Sequence, residues 1–377
     1  MTYGTVNADK MTNSDNVTSG GLYGFKNRII NGAMVIDQRN AGASVATSSS
    51  GAVVYTLDRW AYAVSQASKF TIQQTPSATE TGYATRVGAG FTNYLACTVG
   101  ASANVTVGSS DYFLFRHNIE GFNTSDFAWG TANAKTVTLS FWAYSSVTGT
   151  FGGVVGNSAN TRAYPFTYTI NSASTWEQKT ITIAGDTSGT WVGATNGIGL
   201  KLSFSLGMGS TYSATANAWA TGEYYSATGA ISPITTNSAT FYITGVQLEK
   251  GSTATSFDYR PFTTELILCQ RYYTRFNCGT AFGRILPFAL GIGGTLVRPP
   301  VQLPVRMRAA ASSVDYGGAL VWYNGATTGV ISAVSIDTAN DTIVGLNCTT
   351  TGATASQAYM INDSGANTAF IGINAEL

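Results

Sequence analysis

The sequence predicts an all-β protein, and three observations support this prediction. Apolar and polar residues alternate with a period of two in many segments, which is typical of strands with one buried face. Clusters of Gly, Ser, Asn and Thr separate these segments, as turns do. Apolar residues at the i, i+3, i+4 and i+7 spacing of an amphipathic helix are scarce. The 377-residue chain is therefore expected to fold as β-rich domains with little helix.

The clearest predicted strands lie at residues 135–144 and 199–206. In the first, Phe141 belongs to an apolar set that faces one way, while Trp142 and Tyr144 alternate with that set and face the other way. Further strands are predicted at residues 53–57, 69–73, 111–117, 166–170, 179–183 and 240–248. Alternation of this kind indicates antiparallel sheets that bury one face and leave the other accessible.

One short helix is predicted at residues 263–273, with Thr263 or Thr264 as its N-cap. The charge pattern also changes in this region. Seven arginines and a single acid, Glu265, fall within residues 259–308, whereas residues 309–377 contain five acids and no basic residue. These features predict three parts: an N-terminal extension at residues 1–26, a large β domain at residues 27–262, and a smaller β-rich C-terminal domain at residues 263–377.

The composition excludes several classes of protein. Only 10% of the residues are charged, the formal net charge is +1, and 44% are hydrophobic. Disordered chains combine low hydrophobicity with high net charge, so this composition argues against disorder. A net charge of +1 provides no general attraction for phosphates, so nucleic-acid binding is not expected. No apolar run reaches the length of a membrane-spanning helix or resembles a secretory signal, so neither is predicted. The four cysteines are widely spaced and are predicted to be buried or half-buried free thiols.

Three segments carry a resemblance to a known group of proteins. The first is NRIINGAMVIDQRNAG at residues 27–42, followed by DRW at residues 58–60; the second is STWEQKTITI at residues 174–183. The third and most specific is FYITGVQLEKGSTATSFDYRP at residues 241–261, which continues into ELILCQRYY at residues 265–273. Together they resemble phage tail-fibre and appendage virion proteins that carry a jelly-roll module of the carbohydrate-binding type. A weaker match is LPVRMR at residues 303–308, with Ala311 where that pattern usually has proline.

The resemblance implies a jelly-roll β-sandwich at residues 27–262 and a C-terminal tip domain. It also implies a location in the virion, a homo-oligomer, most simply a homotrimer, and attachment to other virion proteins through residues 1–26. The function it implies is that of a tail fibre or host-recognition appendage that binds a cell-surface glycan. A capsid or tail decoration protein without a receptor role is one alternative, and a polysaccharide depolymerase is another. No cofactor is expected, except that jelly-roll modules often hold a structural Ca²⁺ whose ligands this sequence does not locate.

Four aromatic residues are candidates for glycan binding. Trp142 and Tyr144 are expected to leave the core and face solvent, a partner subunit or a sugar, because flat rings stack on apolar sugar faces. Trp322 and Tyr323 precede an Asn-Gly turn and are candidates for a receptor contact at a hairpin tip. The alternatives are packing between sheets or subunits for the first pair and an ordinary strand end for the second.

Catalysis is not predicted. His117 is the only histidine and lies in a predicted strand, so a structural role is expected. No acid occurs in a local motif for glycoside cleavage. Asp58 and Arg59 are expected to form a salt bridge or turn anchor beside a buried Trp60. The arginines Arg298, Arg306 and Arg308 are expected to meet anionic sugars, to pair with acids of a neighbouring subunit, or to be solvated.

Overall fold

The computed structural model describes residues 25–48, 51, 53–76 and 90–377, and its regular structure there is almost entirely β, which confirms the predicted fold class. The chain forms two compact units, Met1–Glu265 and Leu266–Leu377. Each unit has its own hydrophobic core.

The first unit is a sandwich of two antiparallel sheets. Its strands are β1 (Val45–Ala46), β2 (Val54–Leu57), β3 (Trp60–Val64), β4 (Phe70–Pro76), β5 (Asn93–Val99), β6 (Tyr112–Glu120), β7 (Val137–Ser145), β8 (Gly149–Gly156), β9 (Arg162–Ile170), β10 (Glu177–Ile183), β11 (Ile198–Met208), β12 (Ser213–Ala214), β13 (Ala220–Thr221), β14 (Ser226–Ala227) and β15 (Thr240–Lys250). Short 3-10 helices lie at Gly121–Asn123, Ser125–Phe127, Ser210–Tyr212 and Pro233–Thr235. The sheet orders are β1-β4-β5-β15-β7-β10 and β13-β9-β8-β11-β6-β3-β2, and β12 pairs with β14. Because the chain crosses repeatedly between the two large sheets, the jelly-roll expectation is confirmed.

The core of this sandwich follows from the period-two alternation. Phe141 on β7 and Phe204 on β11 are fully buried, although they belong to different sheets, and their ring centroids lie 5.1 Å apart. Phe115 on β6 stacks on Phe204 at 5.1 Å. Each such side chain contributes about 1.5–3 kcal/mol when it is fully buried. The inward row of each strand therefore holds the two sheets together.

The first and third of the segments that carry the resemblance lie against each other. The side chain of Asn27 donates to the Val246 carbonyl at 3.0 Å and accepts from the Leu248 backbone N–H at 3.0 Å. The Val246 backbone N–H in turn donates to the Gly32 carbonyl at 2.9 Å. Asp58, next to the buried Trp60, accepts from the backbone and side chain of Gln38 at 2.7 and 2.6 Å, as a turn anchor does. The first segment, residues 27–42, is thus hydrogen-bonded along β15, which belongs to the third segment.

The helix α1 (Phe262–Gln270) begins earlier than the sequence predicts. The Glu265 backbone N–H donates to the Pro261 carbonyl at 3.0 Å, so Thr263 and Thr264 lie inside the helix and the N-cap prediction is wrong. Pro261 accepts the first intrahelical hydrogen bond and is therefore the N-cap residue. No helix among the described residues is long and apolar enough to cross a membrane.

The second unit is also β-rich. Its strands are β16 (Tyr273–Asn277), β17 (Arg284–Gly291), β18 (Leu296–Arg298), β19 (Pro300–Gln302), β20 (Ser313–Gly317), β21 (Leu320–Tyr323), β22 (Thr328–Ala339), β23 (Ile343–Thr350), β24 (Ala358–Asp363) and β25 (Phe370–Asn374). One sheet has the order β16-β25-β20, and the other β18-β17-β24-β21-β22-β23-β19. Because β18 also pairs with β23, six strands of the larger sheet close into a small barrel. Closure removes the free strand edges at which sheets aggregate.

Arg298, Arg306 and Arg308 of the second unit find partners within that unit. Arg298 pairs with Asp337 at 3.2 Å, and Arg306 pairs with Asp341 at 2.6 Å. Arg308 donates to the carbonyl oxygens of two residues near the C-terminus, at 2.6 and 2.8 Å. Pairing with a neighbouring subunit is therefore not needed to neutralise Arg298 and Arg306. The basic segment and the acidic segment that follows it meet in one folded unit.

The four cysteines are free and buried, which confirms the prediction; they are Cys97, Cys269, Cys278 and Cys348. Burial raises the pKa of the Cys97 thiol and raises that of Cys348 to about 12. Both thiols therefore stay protonated at neutral pH and act as small apolar side chains.

Candidate functional site

The outer face of the six-stranded sheet carries the first pair of predicted site residues. β7 turns Trp142 and Tyr144 away from the sandwich core, as the alternation predicts. The antiparallel register then sets their neighbours: Tyr242 of β15 lies opposite Tyr144, and Gln178 of β10 lies opposite Trp142. Side chains paired in this manner lie on the same face within about 5.5 Å at their Cβ atoms.

Four rings on this face form an aromatic cluster that is separate from the core: Tyr94, Tyr144, Trp176 and Tyr242, with Trp142 packed against them. Tyr144 and Tyr242 stack with their centroids 4.9 Å apart and their planes 9° apart. Tyr94 lies 5.0 Å from Tyr242 and meets Trp176 edge-on at 5.6 Å. Offset-stacked and edge-to-face contacts are the favourable aromatic geometries, so the cluster is well packed.

Exposure distinguishes Trp142 from the rest of the aromatic cluster. Tyr144 is 7% exposed, so the expectation that its ring is exposed is wrong, and its glycan-binding role stays a prediction. The physical reason is its stacking on Tyr242, which alternation within one strand cannot reveal. Trp142 is half-buried and remains partly accessible. Beside it on β10, Gln178 and Thr180 are exposed.

Sequence reasoning missed three members of the aromatic cluster. Tyr94 lies on β5, whose residues 94–97 are all apolar, so period-two alternation does not mark this segment as a strand. Trp176 immediately precedes β10, and Tyr242 lies on a predicted strand but was not singled out. The available signal was that Tyr242 follows the core residue Phe241 on the same strand and must therefore face the opposite side of the sheet. The contact between these strands depends on sheet order, which the chain's local pattern does not encode.

The second predicted pair lies in the second unit, and its two members face opposite ways. Trp322 is buried, its indole N–H donates to Thr350 Oγ1 at 2.7 Å, and its ring meets Tyr359 edge-on at 4.8 Å. The Trp322 ring is therefore covered, because its position on β21 turns it into the core of the second unit. Tyr323 is half-buried, and its hydroxyl donates to the Gly325 carbonyl at 2.7 Å within the turn that joins β21 to β22. Glycan binding by either residue stays a prediction.

The geometry of His117 fits a structural role. The side chain is fully buried, its Nε2 lies 3.0 Å from the Ile30 carbonyl oxygen, and its ring packs edge-on against Trp60 at 5.1 Å. Burial, together with the charge of Arg59, holds its pKa well below the usual value, so the ring is neutral. Among the described residues, no three His, Cys, Asp or Glu side chains gather into a group that could hold a metal ion. A structural calcium ion stays a prediction.

A second aromatic cluster, Trp129, Trp191 and Trp219, packs against the sandwich core. Trp129 meets Trp191 at 4.8 Å and Trp219 at 5.2 Å, both edge-on. Trp191 is half-buried, like Trp142, and its indole N–H lies within hydrogen-bonding distance of Asp186 Oδ2 at 3.2 Å. The three rings of this second cluster extend the core and do not lie on the outer face of the six-stranded sheet.

The sequence matches no protein-family model and no curated protein. Among solved structures it is similar to the enzymatically active domain of tailspike protein 4 of bacteriophage CBA120, with 12% identity and a TM-score of 0.31 over 60% of this chain and 22% of that chain. It is also similar to the family 11 carbohydrate-binding module of Clostridium thermocellum in complex with a mixed-linked tetrasaccharide, with 11% identity and a TM-score of 0.26 over 57% of this chain and 100% of that chain.

A third similar structure is the N-terminal part of a Clostridium thermocellum xylanase, comprising a carbohydrate-binding module and a catalytic module, complexed with xylohexaose. It has 12% identity and a TM-score of 0.26 over 62% of this chain and 32% of that chain. TM-scores below 0.5 at such identities do not transfer a function. The fold and the site define a two-unit β protein with a jelly-roll sandwich and an aromatic surface.

Proposed function

We propose that this chain is a glycan-binding protein of a phage virion, and that the surface formed by Trp142, Gln178 and Thr180 contacts the sugar. The observation that carries the proposal is the placement of a half-buried tryptophan beside exposed polar side chains on the outer face of a sheet. The aromatic cluster behind it supplies no direct contact, because its rings are buried. Its part is to hold the Trp142 ring in one orientation.

This arrangement suits a sugar for two physical reasons. An aromatic ring covers the apolar face of a pyranose, and a ring already fixed by packing loses little entropy on binding. The Gln178 amide and the Thr180 hydroxyl can both donate and accept hydrogen bonds, as sugar hydroxyls require. None of the three side chains is charged, so the surface fits a neutral glycan.

The role in a virion, as a tail fibre or host-recognition appendage, is the finer part of the proposal. Support comes from the resemblance at residues 27–42, 174–183 and 241–261, whose first and third segments pack together through Asn27 and β15. Attachment through residues 1–26 belongs to the same proposal; most of that segment lies outside the described residues. A decoration protein without a receptor role is the competing proposal.

Replacing Trp142 tests the binding surface. The purified full chain is applied to an array of neutral bacterial glycans, and the affinity for the best ligand is then measured by calorimetry for the wild type and Trp142→Ala. Loss of one stacking contact of about 1–1.5 kcal/mol weakens binding about tenfold. Trp191→Ala is the matched control, because it removes another half-buried tryptophan, from the cluster of Trp129, Trp191 and Trp219.

The expected result is weaker binding for Trp142→Ala and unchanged binding for Trp191→Ala, with both variants folded by circular dichroism. Equal losses in the two variants would count against this surface. Absence of glycan binding by the wild type, together with absence of binding to host cells, would favour the decoration protein. Release of reducing sugar from host capsule would instead favour a depolymerase.

A further inference from the structure

A pocket lies on the outer face of the seven-stranded sheet of the first unit, which contains β6 and β11. It holds two cationic side chains whose hydrogen-bond partners are neutral. It is lined by Arg116 of β6, Lys201 and Ser203 of β11, Asn160, and the adjacent Tyr224 and Tyr225. We call it the cationic pocket. It belongs to the sheet opposite the one that bears the aromatic cluster, and nothing in the proposed function uses it.

Arg116 is the deepest charge in the cationic pocket. It is 6% exposed, its Nε donates to Ser203 Oγ at 3.1 Å, and its guanidinium lies over the Tyr225 ring at 5.0 Å. The ion pairs found among the described residues do not include Arg116. A buried charge normally has a charged partner, because removing it from water costs several kcal/mol. The positive charge of Arg116 is thus available to a ligand.

Lys201 adds a second positive charge on the same face of β11 as Ser203. Its Nζ donates to the Ser158 carbonyl at 2.7 Å and to Asn160 Oδ1 at 2.6 Å, which are both neutral acceptors. Burial, reinforced by the charge of Arg116, lowers the pKa of Lys201 to about 8. Two cations that disfavour each other in this manner gain most from an anion placed between them.

The other charged groups at the cationic pocket do not neutralise this pair. Arg162 is already engaged by both carboxylate oxygens of Asp186, at 2.8 and 2.7 Å. Glu223 attracts Lys201 electrostatically but accepts hydrogen bonds from Asn160 at 2.8 Å and from the Tyr225 hydroxyl, and it forms no ion pair within 4.0 Å among the described residues. The local excess of positive charge therefore remains.

We propose that the cationic pocket binds the oxyanion of an acidic sugar, either a carboxylate or a sulfate or phosphate ester. A guanidinium presents a planar fork of N–H donors that matches two oxygens of such a group, and the Lys201 ammonium supplies a further donor. The half-buried rings of Tyr224 and Tyr225 line the same pocket and provide apolar surface for the sugar ring.

Binding of small acids to the full chain tests the proposal. Glucuronic acid, glucose 6-sulfate, glucose 6-phosphate, inorganic phosphate and glucose are titrated by calorimetry or protein-observed NMR into the wild type and into Lys201→Met and Arg116→Gln. Lys69→Met is the matched control, because Lys69 also donates its Nζ to a loop carbonyl, that of Ala103, but lies beside the opposite sheet.

The expected result is binding of at least one acidic sugar but not glucose, at least tenfold weaker binding by Lys201→Met, and no change in Lys69→Met. The affinity of Arg116→Gln is compared with that of the wild type only if the variant is folded. If it is not folded, Lys201→Met alone decides the result. Equal binding of glucose, or equal loss in Lys69→Met, would overturn the proposal. Inorganic phosphate that binds as tightly as every acidic sugar would overturn the sugar part.

A pH series gives a second readout that general destabilisation would not produce. The titratable and charged groups that face Lys201 are Arg116, Arg162, Glu223, Tyr224 and Tyr225, and burial raises the pKa of Tyr225 to about 12. Lys201 is then the group that loses its proton between pH 7 and pH 9, so the affinity of the wild type for the acid is expected to fall across that range. Lys201→Arg is expected to bind with a flat profile. A flat wild-type profile, or an equal fall in Lys201→Arg, would overturn the role of Lys201.

Discussion

At the residue scale, the face on which a ring lies and its exposure are separate properties. Alternation along β7 correctly places Trp142 and Tyr144 outside the sandwich core. Only the register against β15 shows that Tyr144 is covered by Tyr242 while Trp142 stays partly open. A single strand's pattern therefore predicts a candidate side of the sheet, and the neighbouring strands decide which residue on that side can meet a ligand.

Asp363 shows how one buried side chain can organise a loop in the second unit. Its side chain is fully buried, and its carboxylate accepts hydrogen bonds from the backbone N–H groups of Gly365, Asn367, Thr368 and Ala369, at 2.7–3.2 Å. These donors outweigh the effect of burial and lower the pKa of Asp363 to about 2. The loop that follows β24 is thus held by a negative charge, as anions are held by backbone nests.

Asp363→Asn is expected to lower the melting temperature of the protein by several degrees at pH 7. Because the folded-state pKa lies below the unfolded value of 3.8, the carboxylate stabilises the fold above about pH 4 and loses this effect as the pH falls toward 2. Calorimetry of the full chain between pH 2 and pH 7 measures both effects. The variant should lose less stability than the wild type over the acidic part of that range.

Asp337→Asn is the control for Asp363→Asn. Asp337 pairs with Arg298, whose side chain is 42% exposed, and exposed pairs contribute about 0–1 kcal/mol. We expect Asp337→Asn to change the melting temperature little. If the two variants behave alike at pH 7, the loop does not depend on the Asp363 carboxylate.

At the element scale, the strands with regular alternation were predictable and the glycine-rich ones were not. β7 and β11 lie within two residues of their predicted bounds at each end. β8 was missed because its sequence, GTFGGVVG, has glycines where alternation would require side chains. The structure gives the reason: a Cβ at Gly153 would lie 2.4 Å from the Phe166 ring. A side chain of the neighbouring strand fills the space above this glycine, so the local sequence does not explain why glycine is required there.

The same limit applies to the second unit. Its barrel depends on pairing of β18 with β23, which are separated by four other strands in chain order. Long-range pairing of this kind has no local signature, whereas the turn at residues 324–327 was predictable from its Asn-Gly pair. The cationic pocket has no local signature either: Arg116 and Lys201 are brought together by the β6–β11 register, and Tyr225 reaches Arg116 from the segment between β13 and β14.

Gly32 tests how the first motif is fastened to β15. A Cβ at this position would lie 2.2 Å from the Val246 carbonyl oxygen, a backbone atom that cannot rotate away. Gly32→Ala is expected to destabilise the protein by about 2–4 kcal/mol, through overpacking and weakening of the bond from the Val246 N–H to the Gly32 carbonyl. Chemical denaturation of the full chain measures the free energy of unfolding.

Gly193→Ala provides the comparison for Gly32→Ala. A Cβ at Gly193 meets no other atom within 4 Å, so alanine there is expected to be neutral or slightly stabilising. If the two variants lose similar amounts of unfolding free energy, close approach to β15 does not explain why residue 32 is a glycine.

At the scale of the whole molecule, the two units differ in how their positive charges are balanced. Within the second unit, Arg298 and Arg306 pair with Asp337 and Asp341, two acids that follow residue 309. Within the first unit, the cationic pocket is a place where positive charge is not matched. Local balance, rather than the net charge of +1, therefore decides where an anion can bind.

The homotrimer stays a prediction, and the exterior of β17 is where we propose that copies of the chain meet. Phe288, Leu290 and Ile292 are 48%, 39% and 45% exposed and alternate with the buried Ala289 and Gly291, so they form one apolar row. Contiguous exposed apolar surface is typical of interfaces, and a symmetric oligomer would cover it. Multi-angle light scattering is expected to give three times the chain mass of 39.5 kDa.

Removing this apolar row should dissociate the assembly. Phe288→Ser combined with Ile292→Ser is expected to shift the mass toward a single chain, because each exposed ring or aliphatic side chain lost from an interface removes about 1–3 kcal/mol of apolar burial. Phe122→Ser is the control: this phenylalanine of the first unit is 54% exposed but lies outside the row. It should leave the mass unchanged. A wild-type mass of one chain at micromolar concentration would contradict the oligomer, and a trimer that survives the double substitution would place its interface elsewhere.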